Sequence, residues 1–334
     1  MRVLITGSSG FVGKHVVKAL ENDHDILALS RKGLDLLSPP TGETTRGLVG
    51  ANSAEALSLW FKNYEHYNGR IDAIVHLAAT CGGIGINADN PGRFIYENLQ
   101  MGINVLEAAR LAGVKKIVNL GTVCAYPKYA TIPFKESEIW DGYPEETNAP
   151  YGIAKKTIME MGIAYSRQYG MDITNLVPVN MAGEHDNFDE YSSHVIPALI
   201  QKFEHPVEYE SGLEIVDEDH SRTLVQLWGT GSASREFLYA GDCARAIAVA
   251  LEKHTGPDPI NLGTGKEITI RQLAELVKKV GGYDSYIVWD KSKPDGQPRR
   301  CLDVTRAKHV LRWEATTTLE EIIRRTISWY RENG

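Results

Sequence analysis

At 334 residues the chain has room for about two folding units of roughly 150 residues each, and 43% hydrophobic with 24% charged residues excludes wholesale disorder. Its 36 Lys and Arg against 43 Asp and Glu give a net charge of −7, which argues against a nucleic-acid partner, since such proteins carry a basic footprint. No apolar run reaches the roughly 18–20 residues that span a bilayer, and the N-terminal apolar stretch is too short for a secretion signal, so a cytoplasmic protein without membrane partners is expected.

The first half alternates strand-like and helix-like segments. Residues 2–6 form a short apolar run, 11–21 have helical spacing, and 25–30 are again of strand length. A helix is expected over 54–64, a strand over 71–79, a long helix over 91–112 and a strand over 116–120. Residues 150–169 read as a helix and 172–177 as the next strand. Near-continuously apolar strands alternating with helices predict a parallel sheet covered on both faces. Beyond Pro178 the rhythm changes. Residues 195–203 read helical, 205–223 as a charged surface excursion, and 241–252 as a helix. They are followed by a strand at 260–262, a helix at 270–281, a strand at 286–289 and a terminal amphipathic helix at 319–333. The expected division is 1–178, with about 236–264 returning to it, as one unit, and 179–235 with 265–334 as a smaller substrate domain.

Between the first strand and the first helix stands Thr6-Gly7-Ser8-Ser9-Gly10-Phe11-Val12-Gly13. Glycines there permit a tight turn, close approach of backbone to a pyrophosphate and close helix–strand packing, with the helix N-terminus facing the anion. A doubly wound, Rossmann-type dinucleotide domain is therefore expected, with Gly7 to Gly13 on the cofactor. The second strand ends Ser30-Arg31-Lys32, where an NAD-binding chain usually carries a carboxylate. Arg31 suits a 2′-phosphate instead, which predicts NADP.

Tyr151 and Lys155 are four apart at the start of a helix whose expected cap is Thr147 or Asn148, with Pro150 in its first turn. An ammonium beside a phenol favours the phenolate, so Tyr151 is expected to exchange a proton near neutrality. Thr122 and Cys124, two apart after the fourth strand, are expected to share a face of extended chain at the strand's carboxyl end. Cys81, Cys243 and Cys301 read as small buried hydrophobes. None of the four cysteines belongs to a C-x-x-C pair, and no metal site is expected. His76, inside the third strand, reads as structural.

These elements, with Gly82-Gly83-Ile84, Phe94-Ile95-Tyr96-Glu97-Asn98, Tyr126-Pro127, His185-Asp186-Asn187-Phe188, Ser193-His194-Val195-Ile196-Pro197, Trp228-Gly229-x-Gly231, Arg235-Glu236-Phe237 and Ser292-Lys293-Pro294-Asp295-Gly296, resemble the extended short-chain dehydrogenase/reductases of the nucleotide-sugar epimerase/dehydratase type. The similarity runs nearly end to end. It implies a reductase triad of Thr122, Tyr151 and Lys155, with threonine where serine is usual, and an acid–base pair of Cys124 and His194 for epimerisation. Gly83, His194, Lys202, Trp228, Arg235 and Lys293 would contact a GDP-sugar, with Lys202 replacing a more usual arginine. Ala78, Ala79 and Asn180 would join the glycine loop and Arg31 on NADP. The chain departs from the family's pattern at Ser9, where arginine is frequent, and at Asn180–Glu184, which lacks a common Tyr-Gly-Pro. The implied activity is 3,5-epimerisation of a GDP-4-keto-6-deoxyhexose, then NADPH-dependent C4 reduction to GDP-L-fucose, by a homodimer. An enzyme performing only one of these steps, or one acting on a heptose, is the alternative within the class. A non-catalytic NADP-binding sensor is the alternative outside it. A 4,6-dehydratase would place an Asp-Glu pair where Val123 and Cys124 stand.

Overall fold

The computed structural model describes residues 1–31, 35–37, 53–189, 191–207, 223–293 and 295–334. Its first part runs β1 (Arg2–Thr6), α1 (Phe11–Leu20), β2 (Asp25–Leu29), α2 (Ser53–Asn68), β3 (Ala73–His76), α3 (Ile84–Asp89), α4 (Pro91–Ala112), β4 (Lys116–Leu120), α5 (Ala149–Tyr169) and β5 (Asp172–Pro178). The second part runs β6 (Asn180–Ala182), α6 (Val195–Glu204), β7 (Leu224–Trp228), β8 (Ser234–Tyr239), α7 (Ala240–Lys253), β9 (Ile260–Leu262), β10 (Glu267–Thr269), α8 (Ile270–Gly281), β11 (Tyr286–Asp290) and α9 (Leu319–Asn333).

Six strands form one all-parallel sheet in the order β2-β1-β3-β4-β5-β9. The order reverses between β1 and β3, and ligands of open α/β sheets bind in the crevice at that reversal. One face of the sheet, with Val3, Ile5, Val75 and Val118, packs on α1, on Ala244, Ile247 and Leu251 of α7, and on Leu302, Ala307 and Trp313. The other, with Leu4, Ile74, Ile117 and Ile173, packs on α2, α4 and α5. Burial on both faces explains why these strands are apolar without alternation. A second core joins α6, α8 and α9 to a three-stranded sheet, β10-β8-β6, and a two-stranded one, β11-β7.

Four strands (β6, β7, β8, β10) and helix α3 lie where no element was expected. β8 shows why. Its sequence, Ser-Arg-Glu-Phe-Leu-Tyr, carries two charges, yet both are buried. Glu236 is fully enclosed and accepts the backbone N–H groups of Thr264, Gly265 and Leu302. Burial pushes its carboxyl up, and those N–H groups oppose the shift. A buried carboxylate so satisfied stitches the small sheet to the loop after β9, and it masks the apolar pattern that would have marked a strand. The expected excursion over 205–223 lies mostly outside the described residues, as do Lys32 and Pro294.

Candidate active site

A cavity of about 660 Å³ runs from the carboxyl ends of β1 and β3 to the second core. At its first end, Gly7 adopts φ +71°, a conformation that favours glycine, and Gly10 N–H donates to its carbonyl at 3.0 Å. A Cβ on Gly13 would fall on the Gly7 carbonyl and come within 2.7 Å of Ser8 backbone atoms. Helix α1 can thus begin against the loop only because Gly13 lacks a side chain. Gly7, Ser9, Gly10, Phe11, Val12, Gly13, Ala78, Ala79 and Asn180 line the cavity. The Ser8 N–H and hydroxyl both donate to the Leu29 carbonyl, at 3.1 and 2.9 Å, which ties the loop to the end of β2. The close backbone and exposed helix start fit a dinucleotide pyrophosphate. Arg31 lines the wall beyond β2, and its Nε lies 3.9 Å from Asp35, a cavity carboxylate the sequence reading overlooked.

In the middle, Lys155 Nζ donates to the Leu120 carbonyl at 2.9 Å, which ties α5 to the end of β4. Burial pulls this lysine down to about 8. Tyr151, one turn earlier, is pushed well above its ordinary range by burial, then by the nearby Cys81 and Cys124 sulfurs, with a hydrogen bond from Thr122 acting the other way. The expected phenolate-favouring effect of Lys155 is therefore not found without ligands, because the ammonium is turned to a carbonyl and the phenol is enclosed. The cap expectation is met in position only: Asn148 precedes the helix, but its side-chain amide donates to Glu145 and Thr147.

Thr122 and Cys124 both line the cavity, but not along an extended strand. Thr122 Oγ1 accepts the Cys124 N–H at 3.2 Å and closes a single 3₁₀ turn over Val123–Ala125. The hydroxyl so placed competes successfully with strand continuation. Cys81 is a second correction. It stands on the cavity wall instead of in the core, whereas Cys243 and Cys301 are buried. His76 is interior as expected, bonded to Thr6 Oγ1 at 2.8 Å, and burial with the Lys155 charge holds it down to about 3.

At the far end, His194 precedes α6 and lines the cavity, its Nδ1 3.4 Å from Asp186 Oδ1. Desolvation pulls this imidazole down, but the Asp186 hydrogen bond and charge together outweigh it, and the net shift is upward. Asp186 Oδ2 is buried and has no hydrogen-bond partner among the described residues. Gly83 is pressed so closely on the Ser193 carbonyl that a Cβ would sit 2.5 Å from it. Trp228 is 55% exposed, with the Lys202 and Lys293 ammoniums 5.6 and 5.5 Å from its ring centroid. Lys202 and Trp228 line the cavity, and Lys293 stands beside them over the indole. Arg235 is buried, its Nη1 donating to the Ser234 and Gln297 carbonyls at 2.7 and 2.6 Å, and burial with the charge of Arg300 pulls it down to about 10.

Arg300 and Gln297 were overlooked in the sequence and line the same wall. Their signal was faint: Arg299 and Arg300 follow the Asp295-Gly296 turn, and nothing in the spacing tells which faces inward. Arg299 pairs outward with Glu267, and Arg300 turns in. Among the described residues no group of His, Cys, Asp and Glu is placed to hold a metal ion, and no helix is long and apolar enough to cross a membrane.

Residues 3–263 match the family described as the NAD dependent epimerase/dehydratase family. The chain is 37% identical to GDP-L-fucose synthase of Escherichia coli (strain K12), over 99% of this chain and 97% of that protein. Among solved structures, it resembles a GDP-6-OMe-4-keto-L-xylo-heptose reductase from C. jejuni at 26% identity and a TM-score of 0.84, covering 100% of this chain and 98% of the other. It also resembles a GDP-L-fucose synthetase from Naegleria fowleri bound to NADP, at 25% identity and a TM-score of 0.80, covering 99% and 94%.

Proposed function

From the premise that this chain belongs to the NAD dependent epimerase/dehydratase family, we propose that it is an NADPH-dependent epimerase-reductase that converts a GDP-4-keto-6-deoxyhexose, GDP-4-keto-6-deoxy-D-mannose or a close relative, to the GDP-L-fucose type of product. The observation that carries the reading is a single cavity lined by Thr122, Cys124, Tyr151 and His194 together with the glycine loop and Trp228.

The C4 ketone acidifies the protons at C3 and C5, because the electron pair left behind delocalises onto the ketone oxygen. Cys124 takes such a proton as a thiolate, and His194 returns one to the opposite face. The Asp186 contact favours the imidazolium form that does this. When bound, NADPH would supply the hydride for reduction at C4. Tyr151 gives its proton to the C4 oxygen, Thr122 donates a hydrogen bond to that oxygen, and Lys155 anchors the tyrosine's helix against β4. A phenol that burial keeps protonated is suited to act as the acid. Trp228 offers a stacking face for guanine. Arg31, Ala78, Ala79, Asn180 and the loop from Gly7 to Gly13 hold the cofactor.

The test is NADPH oxidation over a panel of GDP- and UDP-4-keto sugars, with the product's stereochemistry read by NMR. Turnover of the GDP-4-keto-6-deoxy sugar with inversion at C3 and C5 is expected, with NADPH preferred to NADH. Reduction without inversion would leave a simple 4-reductase, and binding without turnover would leave a cofactor sensor.

The enzyme is a cytoplasmic homodimer in this reading. Four free cysteines suit a reducing compartment. Tyr96 and Ile103 on α4 and Tyr169 on α5 leave large apolar side chains exposed on neighbouring helices, a surface that a two-fold partner would cover. A monomeric mass by light scattering at micromolar concentration would overturn the dimer.

A further inference from the structure

Arg300 is 6% exposed and faces the reacting part of the cavity. Its Nε and Nη2 both donate to the Gln297 side-chain oxygen, at 3.1 and 3.0 Å. Gln297 is fixed in turn, since its amide nitrogen donates to the Lys128 carbonyl at 2.9 Å. That fork leaves Nη1, which points at the Cys124 sulfur at 3.6 Å and at Asn180 Oδ1 at 3.4 Å. Among the described residues no carboxylate forms an ion pair with Arg300. Glu145 feels its charge only through space and directs an oxygen to Thr147 and Asn148.

A guanidinium taken out of water without an anion is unfavourable, by several kcal/mol in order of magnitude. A fixed, buried guanidinium without a carboxylate is therefore matched to an anion that forms in the cavity. Cys124 is the group within reach, and its place is set from two sides. Thr122 Oγ1 holds its N–H, and Gly152 of α5 packs so tightly on its carbonyl that a Cβ would overlap it. The neighbouring Arg235 has its Nη1 committed to two backbone carbonyls.

We propose that Arg300 is the positioning residue of Cys124, a charge that holds its sulfur as thiolate and aims it into the cavity. The catalytic consequence rests on the epimerisation reading above. In that step the sulfur takes the proton from C3 or C5, the C–H electron pair passes to the enolate, and the thiolate becomes a neutral thiol. Loss of that proton to solvent restores the anion beside Arg300. The sulfur–guanidinium contact itself does not depend on which sugar the enzyme uses.

The experiment is alkylation of the ligand-free protein by iodoacetamide at pH 7, resolved by peptide mass spectrometry so that Cys124 is read separately from Cys81. The thiolate attacks the methylene carbon and iodide leaves. Arg300→Gln is expected to slow alkylation at Cys124 by about tenfold or more, the usual effect of losing an opposite charge at this range. Arg300→Lys, which keeps the charge, should stay nearer the wild-type rate, and Cys81 should change little in either variant. Equal rates at Cys124 in wild type and Arg300→Gln would overturn the proposal. So would equal slowing at Cys81 and Cys124, since that marks a rearranged wall. Weaker GDP binding with unchanged alkylation would overturn it too, and give Arg300 to the nucleotide's diphosphate. If alkylation at Cys124 slows as expected while deuterium uptake at C3 and C5 of the sugar is unaffected, the contact stands and the epimerase reading falls.

Discussion

Between Gly7 and Gly13 the cavity wall is backbone and the uncharged side chains of Ser9, Phe11 and Val12. Around Cys124, Arg235 and Arg300 it is sulfur and buried guanidinium. The first region has no room for another carbon atom at Gly7 or Gly13, and it places no titrating group. The second holds two enclosed cations whose partners are backbone carbonyls, two side-chain amides and a thiol. At Gly7 and Gly13 the first region therefore fails on changes of volume. The second fails on changes of charge. One family of experiments separates them.

The largest effect is expected in the charged region. Cys124→Ser replaces a thiol by a hydroxyl that does not ionise near neutrality, and a general acid–base group is typically worth about 10²–10⁴-fold. Solvent-deuterium uptake at C3 and C5, followed by NMR in D₂O with oxidised cofactor so that reduction cannot proceed, should fall by that amount. Tyr151→Phe should do the converse, suppressing NADPH oxidation while leaving uptake largely intact. Wild-type exchange in Cys124→Ser would make Cys124 a structural thiol and erase the contrast.

A smaller, purely steric effect is expected at the other end. In Gly13→Ala the added methyl meets backbone and not a flexible side chain, so the loop must shift, at a cost on the order of 3 kcal/mol. The Kd for NADPH, read by fluorescence titration, should rise by about a hundredfold. The alkylation rate of Cys124 should not change. A loop that accepted alanine without loss of affinity would show that its glycines serve the turn alone.

The same contrast explains what was legible in the sequence. The large sheet could be read because strands buried on both faces are near-continuously apolar, and α4, α8 and α9 because glycine, caps and periodicity mark their ends. The glycine loop could be read because a steric demand leaves its mark at each position. Spacing alone does not tell, however, that Ser8 bonds to the end of β2. The charged region leaves no such mark. Cys124, the Asp186–His194 segment, Arg235 and Arg300 are far apart in the chain. His194 and Arg235 were reached only through resemblance, and Arg300 not at all. Its role depends on Gln297 holding two of its nitrogens, which is a property of the folded loop.

The last and smallest effect lies where the two regions meet, at Lys155. Its fold-state value of about 8 lies below the unfolded 10.5 because burial disfavours the ammonium. Below pH 8 the lysine is charged in both states, and the fold bears the whole desolvation penalty. Between 8 and 10.5 the unfolded chain binds more protons than the folded one, so wild-type stability rises with pH across that window. Above 10.5 the penalty is gone. A difference of this size is on the order of 3 kcal/mol, and loss of the Leu120 hydrogen bond offsets about 1 kcal/mol of it. Lys155→Met, studied without nucleotide, is therefore expected to be more stable than wild type by about 2 kcal/mol at pH 7. The advantage should shrink from pH 8 upward, vanish at about pH 9.5 and reverse above it as the penalty disappears and only the lost Leu120 bond remains, while NADPH oxidation is lost. Urea melts at a series of pH values measure it. A variant less stable than wild type at pH 7 would mean that the Leu120 contact outweighs burial. Lys155 would then belong with the close-packed backbone of the cofactor end, and not with the strained charges around Cys124.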